Sequence, residues 1–191
     1  MKHRALAASL LLLGAGAARA QTPPAQPAPR PPACATPEHR QFDFWIGYWD
    51  VYPANSERMI AHSLIERRYA GCAIRENWLP LGREGGGSFS GWRSGERRWR
   101  QTWVDSGGAW VEFQGGMQGD AMVLTGEWAG VNGPGTTALV RMTYTRQEGG
   151  VVRQLGEAST DGGATWGPAW DYYYRPSASP PPASPGGSPQ S

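Results

Sequence analysis

Arg40-Gln-Phe-Asp-Phe-Trp-Ile-Gly-Tyr-Trp-Asp-Val-Tyr52 places six aromatic residues in thirteen positions, where a proline-rich leader gives way to patterned sequence. Phe42, Trp45 and Trp49 recur at intervals of three and four, the spacing of one apolar face of a short helical turn. Gly47 then lets the backbone change direction, so that Trp49 to Pro53 runs extended. The stretch reads as an aromatic plug followed by the first strand of a barrel.

Downstream, closely spaced glycines punctuate runs of about four to ten residues whose character alternates with the period of a strand. The candidate strands are 49–52, 60–68, 72–79, 88–92, 98–104, 110–114, 121–128, 137–145, 151–158 and 169–175. Most connectors are short, and Tyr69-Ala-Gly71, Arg93-Ser-Gly-Glu-Arg97, Asp105-Ser-Gly-Gly108 and Gln147-Glu-Gly-Gly150 suit hairpins with glycine at positive φ. About ten strands in chain order, with no helix long enough to cross a sheet, predict an all-β fold, an antiparallel up-and-down barrel.

Alternation sorts the faces. In 98–104 it groups Trp99, Gln101 and Trp103, and this face is expected to point inward. By the same parity Cys72, Ile74, Glu76 and Trp78 share a face, as do Trp110, Glu112 and Gln114, so several interior faces would mix aromatic and polar residues. In 137–145 either Ala138-Val140-Met142-Tyr144 or Leu139-Arg141-Thr143 could point inward, and Gln154 has the same ambiguity. A filled core would use aliphatic and aromatic side chains without Glu or Gln, because a buried polar group lacking a partner costs roughly 1–3 kcal/mol. A cavity with a few convergent polar groups is the alternative.

The ends of the chain differ in kind from its middle. Met1-Lys-His-Arg4 is a basic head, residues 5–17 are apolar without a charge, and Ala18-Arg-Ala20 has the small-x-small form of a cleavage site. Residues 1–20 are therefore read as a secretory signal, with a periplasmic or secreted mature protein. No stretch supplies the roughly 20 apolar residues of a membrane-spanning helix. Residues 21–33 and 176–191 are proline-rich and of low complexity, and are expected to be a disordered linker and tail. This leaves 34–175 as one barrel domain, which holds all ten tryptophans.

Loss of Lys2, Arg4 and Arg19 with the signal takes the formal charge from +2 to −1, so a basic nucleic-acid groove is not expected. Lys2 is the only lysine, which excludes Schiff-base and P-loop chemistry from the mature chain. Cys34 and Cys72 flank the first strand, and an even pair in an oxidising compartment is read as a disulfide; a free buried Cys72 is the alternative.

Two resemblances add to this reading. Ser159-Thr-Asp161-Gly-Gly163-Ala-Thr-Trp166 resembles the Asp-box hairpin repeated in sialidase propellers, where the Asp holds the turn and the Trp packs beneath it. The box occurs once, so it is taken as the turn joining the last two strands and not as a propeller blade. The wider pattern of Phe42 to Val51, Gly71-Cys-Ala-Ile-Arg-Glu-Asn-Trp78, Trp99-Arg-Gln-Thr-Trp-Val-Asp105 and the Ser159–Trp166 hairpin resembles a family of uncharacterised exported bacterial proteins of lipocalin-like, or calycin, build. Gly47-Tyr48-Trp49 also has the Gly-x-Trp spacing found at the opening of lipocalins, where the Trp closes the barrel floor. The resemblance implies the fold and carries no catalytic residues.

For chemistry, His39 and His62 stand 23 positions apart without partners at ligand spacing, so neither a metal site nor a haem is expected, and no cofactor is assigned. A Ser–His hydrolase would want a nucleophile-elbow pattern, which is absent. Glu76, Glu112 and Asp171 are the carboxylates that could pair for glycan hydrolysis. The preferred reading is non-catalytic binding of an unidentified small molecule, with Trp78, Trp99 and Trp103 as walls and Glu76 and Gln101 as orienting groups. A filled structural or envelope-interaction barrel is the second reading, and a glycan-acting hydrolase the third.

Overall fold

A computed structural model describes residues 33–179. The expected signal segment, almost all of the linker and most of the tail lie outside the described residues. Ten strands run in chain order: β1 Gly47–Pro53, β2 Ala61–Arg68, β3 Ala73–Pro80, β4 Gly86–Arg93, β5 Arg98–Asp105, β6 Trp110–Gln118, β7 Ala121–Ala129, β8 Thr137–Arg146, β9 Val152–Ser159 and β10 Gly167–Pro176. Each pairs antiparallel with its neighbour in sequence, and β1 pairs with β10, so the sheet closes into an up-and-down barrel without an edge. Among the described residues no helix is long and apolar enough to cross a membrane.

The aromatic stretch before β1 forms two short 3₁₀ turns, Pro37–Arg40 and Asp43–Trp45, in place of one helical turn. Phe42 and Trp45 are fully buried and stack with ring centroids 4.9 Å apart. Around them stand Trp99 and Tyr144, each edge-on to Phe42, and Tyr174 edge-on to Trp45. The Trp49 indole donates to the Trp45 carbonyl at 2.9 Å, which ties the plug to the first strand. The Trp45 N–H itself has no hydrogen-bond acceptor and lies among the tyrosine rings.

A disulfide joins Cys34 to Cys72, so the segment leading into the plug is fastened to the β2–β3 turn. Arg40 strengthens the joint by donating to the Cys34 carbonyl and, at 3.0 Å, to the Gly71 carbonyl. Gly71 takes a positive φ as expected, and Tyr69 and Ala70 join it in the left-handed region, at 52° and 53°. A Cβ on Gly71 would come within 2.4 Å of the Arg40 guanidinium, so this glycine is fixed by a close approach as well as by its φ of 87°.

Face assignment follows strand parity. Ala138, Val140, Met142 and Tyr144 of β8 point inward, Arg141 points outward onto Glu157, and Gln154 of β9 points inward. The expected inward face of β6 is reversed, because Val111 and Phe113 are buried whereas Trp110 is 71% exposed and donates to Glu112 on the outer surface. Val111 and Phe113 win the interior because their opposite neighbours, Trp103 and Gln101 on β5, are inward themselves.

The Ser159–Trp166 hairpin joins β9 to β10. Asp161 accepts from Ser159 Oγ at 2.6 Å and from the Thr165 amide and hydroxyl at 2.9 and 2.6 Å, and these donors hold its carboxyl well below the usual carboxylate range. Trp166 packs under the Arg141 guanidinium, 4.1 Å from ring centroid to Cζ. Reduction of the Cys34–Cys72 bridge, or its replacement by a serine pair, is expected to lower unfolding free energy by roughly 2–4 kcal/mol. Denaturant melts with and without reductant measure this, and an unchanged midpoint would show that the plug holds without its tether.

Candidate ligand-binding cavity

The plug fills one end of the barrel and leaves a cavity of about 160 Å³ towards the other. Its polar base is built from adjacent strands. Glu76 on β3 lies opposite Ser88 of β4, and Ser63 of β2, opposite Trp78, stands two pairs further along. Ser63 Oγ donates to one carboxyl oxygen at 3.2 Å, and Ser88 Oγ donates to the other at 3.0 Å. Glu76 is 6% exposed, and burial pushes its pKa up to about 7 against the opposing pull of the Ser88, Ser63 and Tyr174 hydroxyls. No cation stands among those influences.

Across the cavity, Gln154 is held between two neighbouring strands. Its amide donates to Tyr144 Oη at 2.8 Å and accepts from the Tyr174 hydroxyl at 3.0 Å. Burial raises both tyrosines well above their ordinary range, so they remain neutral donors. Gln101 donates to Ser90 Oγ at 2.9 Å, a side-chain partner on the adjacent strand and not a backbone group.

The walls are aromatic. Trp78 stacks on Tyr172 with centroids 5.9 Å apart, and Trp128 meets Trp170 edge-on at 5.8 Å. Trp103 is oriented by an indole bond to Asp105 at 3.1 Å, and the other Asp105 oxygen holds the β5–β6 turn by accepting from Gly107 and Ala109. Glycine close to tryptophan makes room for these rings. A Cβ on Gly156 would fall 2.1 Å from the Trp170 indole, and one on Gly86 would fall 2.8 Å from Trp103. Arg83, on the β3–β4 turn, reaches the mouth, where its charge opposes the burial that raises Tyr172.

Four of the five residues expected from sequence come together here: Glu76, Trp78, Gln101 and Trp103 all line the cavity. Trp99 does not. It is buried on the plug side, edge-on to Phe42, with its indole bonded to Gln41 at 3.0 Å. Among the lining residues that the sequence reading missed are Trp128, Trp170, Tyr172 and Arg83. The parity of Leu124-Gly126-Trp128 and of Trp170-Tyr172-Tyr174 carries the signal for all of these but Arg83, which sits in a turn.

The carboxylates do not form a pair. Glu112 is on the outer surface with Thr102, and Asp171 faces outward in a two-bond contact with Arg153 at 2.8 and 2.7 Å. His39 bonds to Thr36 beside the plug, and His62 bonds to Asp50 across β1 and β2. The cavity thus assembles one carboxyl group with hydroxyl and amide donors among aromatic faces. No protein-family model matches this chain, and no curated protein matches it at significant similarity.

Burial of Glu76 has a consequence for stability. Its folded pKa of about 7 lies above the model-compound value of 4.5, so the folded state binds more protons between these limits and stability falls as pH rises through the window. The loss is on the order of 3 kcal/mol by pH 8. Glu76→Gln is expected to flatten the profile and to melt above the parent at pH 8; thermal melts from pH 4 to 8 check both. Gly156→Ala should displace the Trp170 ring and cost roughly 1–3 kcal/mol as an overpacked site. An unchanged melt and unchanged tryptophan emission for that variant would contradict the close approach.

Proposed function

We propose that this is an exported protein that binds a small molecule in its barrel and does no chemistry on it. The observation that carries the reading is the polar set Glu76, Gln101 and Gln154, turned inward on an aromatic cavity where a filled core would hold aliphatic side chains. Such a combination, mostly apolar walls with a few fixed polar groups, is what orients a ligand. The volume of about 160 Å³ limits the bound part to roughly the size of a single ring, since a cavity of about 150 Å³ accepts benzene.

Export is supported by the basic head and apolar run of residues 1–20 and by the Cys34–Cys72 bridge, which suits the periplasm or the extracellular space. Kinship with lipocalin-like exported proteins is supported by the up-and-down barrel and by Gly47-Tyr48-Trp49 at the start of β1. Ten strands, where lipocalins have about eight, mark a departure from that pattern.

Native mass spectrometry of protein purified from its own host tests the proposal, because a retained molecule adds a discrete mass that is lost on unfolding. Gln101→Leu is expected to keep the fold and weaken retention by about one hydrogen bond, roughly 0.5–1.5 kcal/mol. A variant that melts earlier while retaining the same molecule at the same occupancy would sink the role given to Gln101, and protein that never carries or takes up a small molecule would favour the filled structural barrel.

A further inference from the structure

The buried carboxyl distinguishes this cavity from an apolar one. Several of the protein's other acids find cations: Glu66 pairs with Arg75, Glu96 with Arg100, Glu157 with Arg141 and Asp171 with Arg153, all on the outer face. Glu76 is more buried than any of these and has only hydroxyl partners. Each of its oxygens accepts one serine hydroxyl and the Tyr174 hydroxyl stands near, yet a carboxylate can accept about four hydrogen bonds, so acceptor capacity is left over.

The space it faces is bounded by aromatic rings in two groups, Trp78 with Tyr172 on one side and Trp128 with Trp170 on the other, with Trp103 between the base and the mouth. Ring faces carry the negative end of the quadrupole and attract cations, most strongly where water is excluded. An anionic group would meet unfavourable ring faces and an acidic base. A cationic head would meet both attractions at once.

We propose that the ligand is a small organic cation, an alkylated amine or quaternary ammonium compound, whose charged head occupies the aromatic cavity against the Glu76 carboxylate. This rests on the cavity being a binding site. Arg83 sets the polarity of the bound molecule: its guanidinium at the mouth repels a second positive charge and favours a neutral or anionic far end.

Binding is coupled to a proton. In the empty cavity near neutral pH part of the protein carries Glu76 as the carboxylic acid, and seating the cation drives that proton to solvent. Affinity therefore rises with pH through the range in which Glu76 titrates and levels off above it. The other groups facing Glu76 do not confuse the dependence. Ser63 on β2 and Ser88 on β4 do not titrate, and Tyr144 on β8 and Tyr172 and Tyr174 on β10 are raised by burial.

The test uses the full mature chain with choline and its uncharged carbon isostere, 3,3-dimethyl-1-butanol, titrated by tryptophan fluorescence and calorimetry at pH 5.5 and 8. Choline is expected to bind roughly tenfold or more tightly than the alcohol at pH 8. Its affinity should fall about tenfold at pH 5.5, while that of the alcohol stays level. Glu76→Gln, close to isosteric and free of the buried charge, should abolish the pH dependence and remove most of the preference. Equal or tighter binding of the alcohol at pH 8, or choline affinity independent of pH, overturns the cation and leaves a neutral ligand in the same cavity. Binding of neither probe also overturns it, and the retained-mass measurement then decides separately whether the cavity binds anything.

Discussion

Closing ten strands into a ring leaves more interior than inward side chains alone can fill, and the molecule depends on how that excess is used. About eight strands suffice for a side-chain-filled barrel. Here Phe42 and Trp45, stacked at 4.9 Å and inserted from outside the sheet, fill one end as extra core. Towards the other end a cavity of about 160 Å³ remains. The disulfide and Arg40 matter because they fix the plug to the barrel it fills: were the plug to leave, Trp99, Tyr144 and Tyr174 would lose their central packing partner together.

The cavity is shaped by pairing the smallest residue with the largest. Gly156 lies directly opposite Trp170, after the bulge at Ala169, and the indole rests where a Cβ would have been. A Cβ on Gly86 would meet the Val104 carbonyl at 2.5 Å and the Trp103 ring at 2.8 Å, and one on Gly126 would meet the Glu112 carbonyl at 2.3 Å and the Phe113 ring at 3.0 Å. These glycines stand within strands, where they weaken the local backbone. Their positions are explained by close approach and not by turns, which is why reading glycine as punctuation truncated β6 at Gln114 when the strand runs on through Gly115 and Gly116 to Gln118.

The same reasoning shows what period-two alternation can and cannot reveal. It placed Glu76, Trp78, Gln101 and Trp103 on common inward faces because the opposite faces of β3 and β5 carry arginines and Thr102. It failed on β6, where both faces carry apolar residues and the larger one, Trp110, is outside. On β8 the ambiguity had a physical source: outward Leu139 and Arg141 are covered by the Ser159–Trp166 hairpin, with Leu139 beside Gly163 and Arg141 over Trp166, so the outer face is partly apolar as well. Trp99 shares the parity of Gln101 and Trp103 but lies at the plug end. Parity fixes the face of a residue and says nothing of its depth along the barrel axis, which depends on where the plug enters.

Glu76 is the residue that the fold alone does not account for. A glutamine there would keep the Ser63 and Ser88 contacts without a buried ionisable group, and an aliphatic side chain would remove the polar burial altogether. Two serine hydroxyls donating to its two oxygens are suited to an ionised carboxylate more than to a neutral acid, which needs an acceptor for its own proton. Yet neutral hydroxyls do not offset the desolvation of a charge, and burial raises the pKa to about 7. An arginine from a neighbouring strand would have completed the pairing, as it does on the outer face, but would have filled the cavity in doing so. The arrangement is half of a buried ion pair, held ready by its hydroxyls and left open on the side of the aromatic walls.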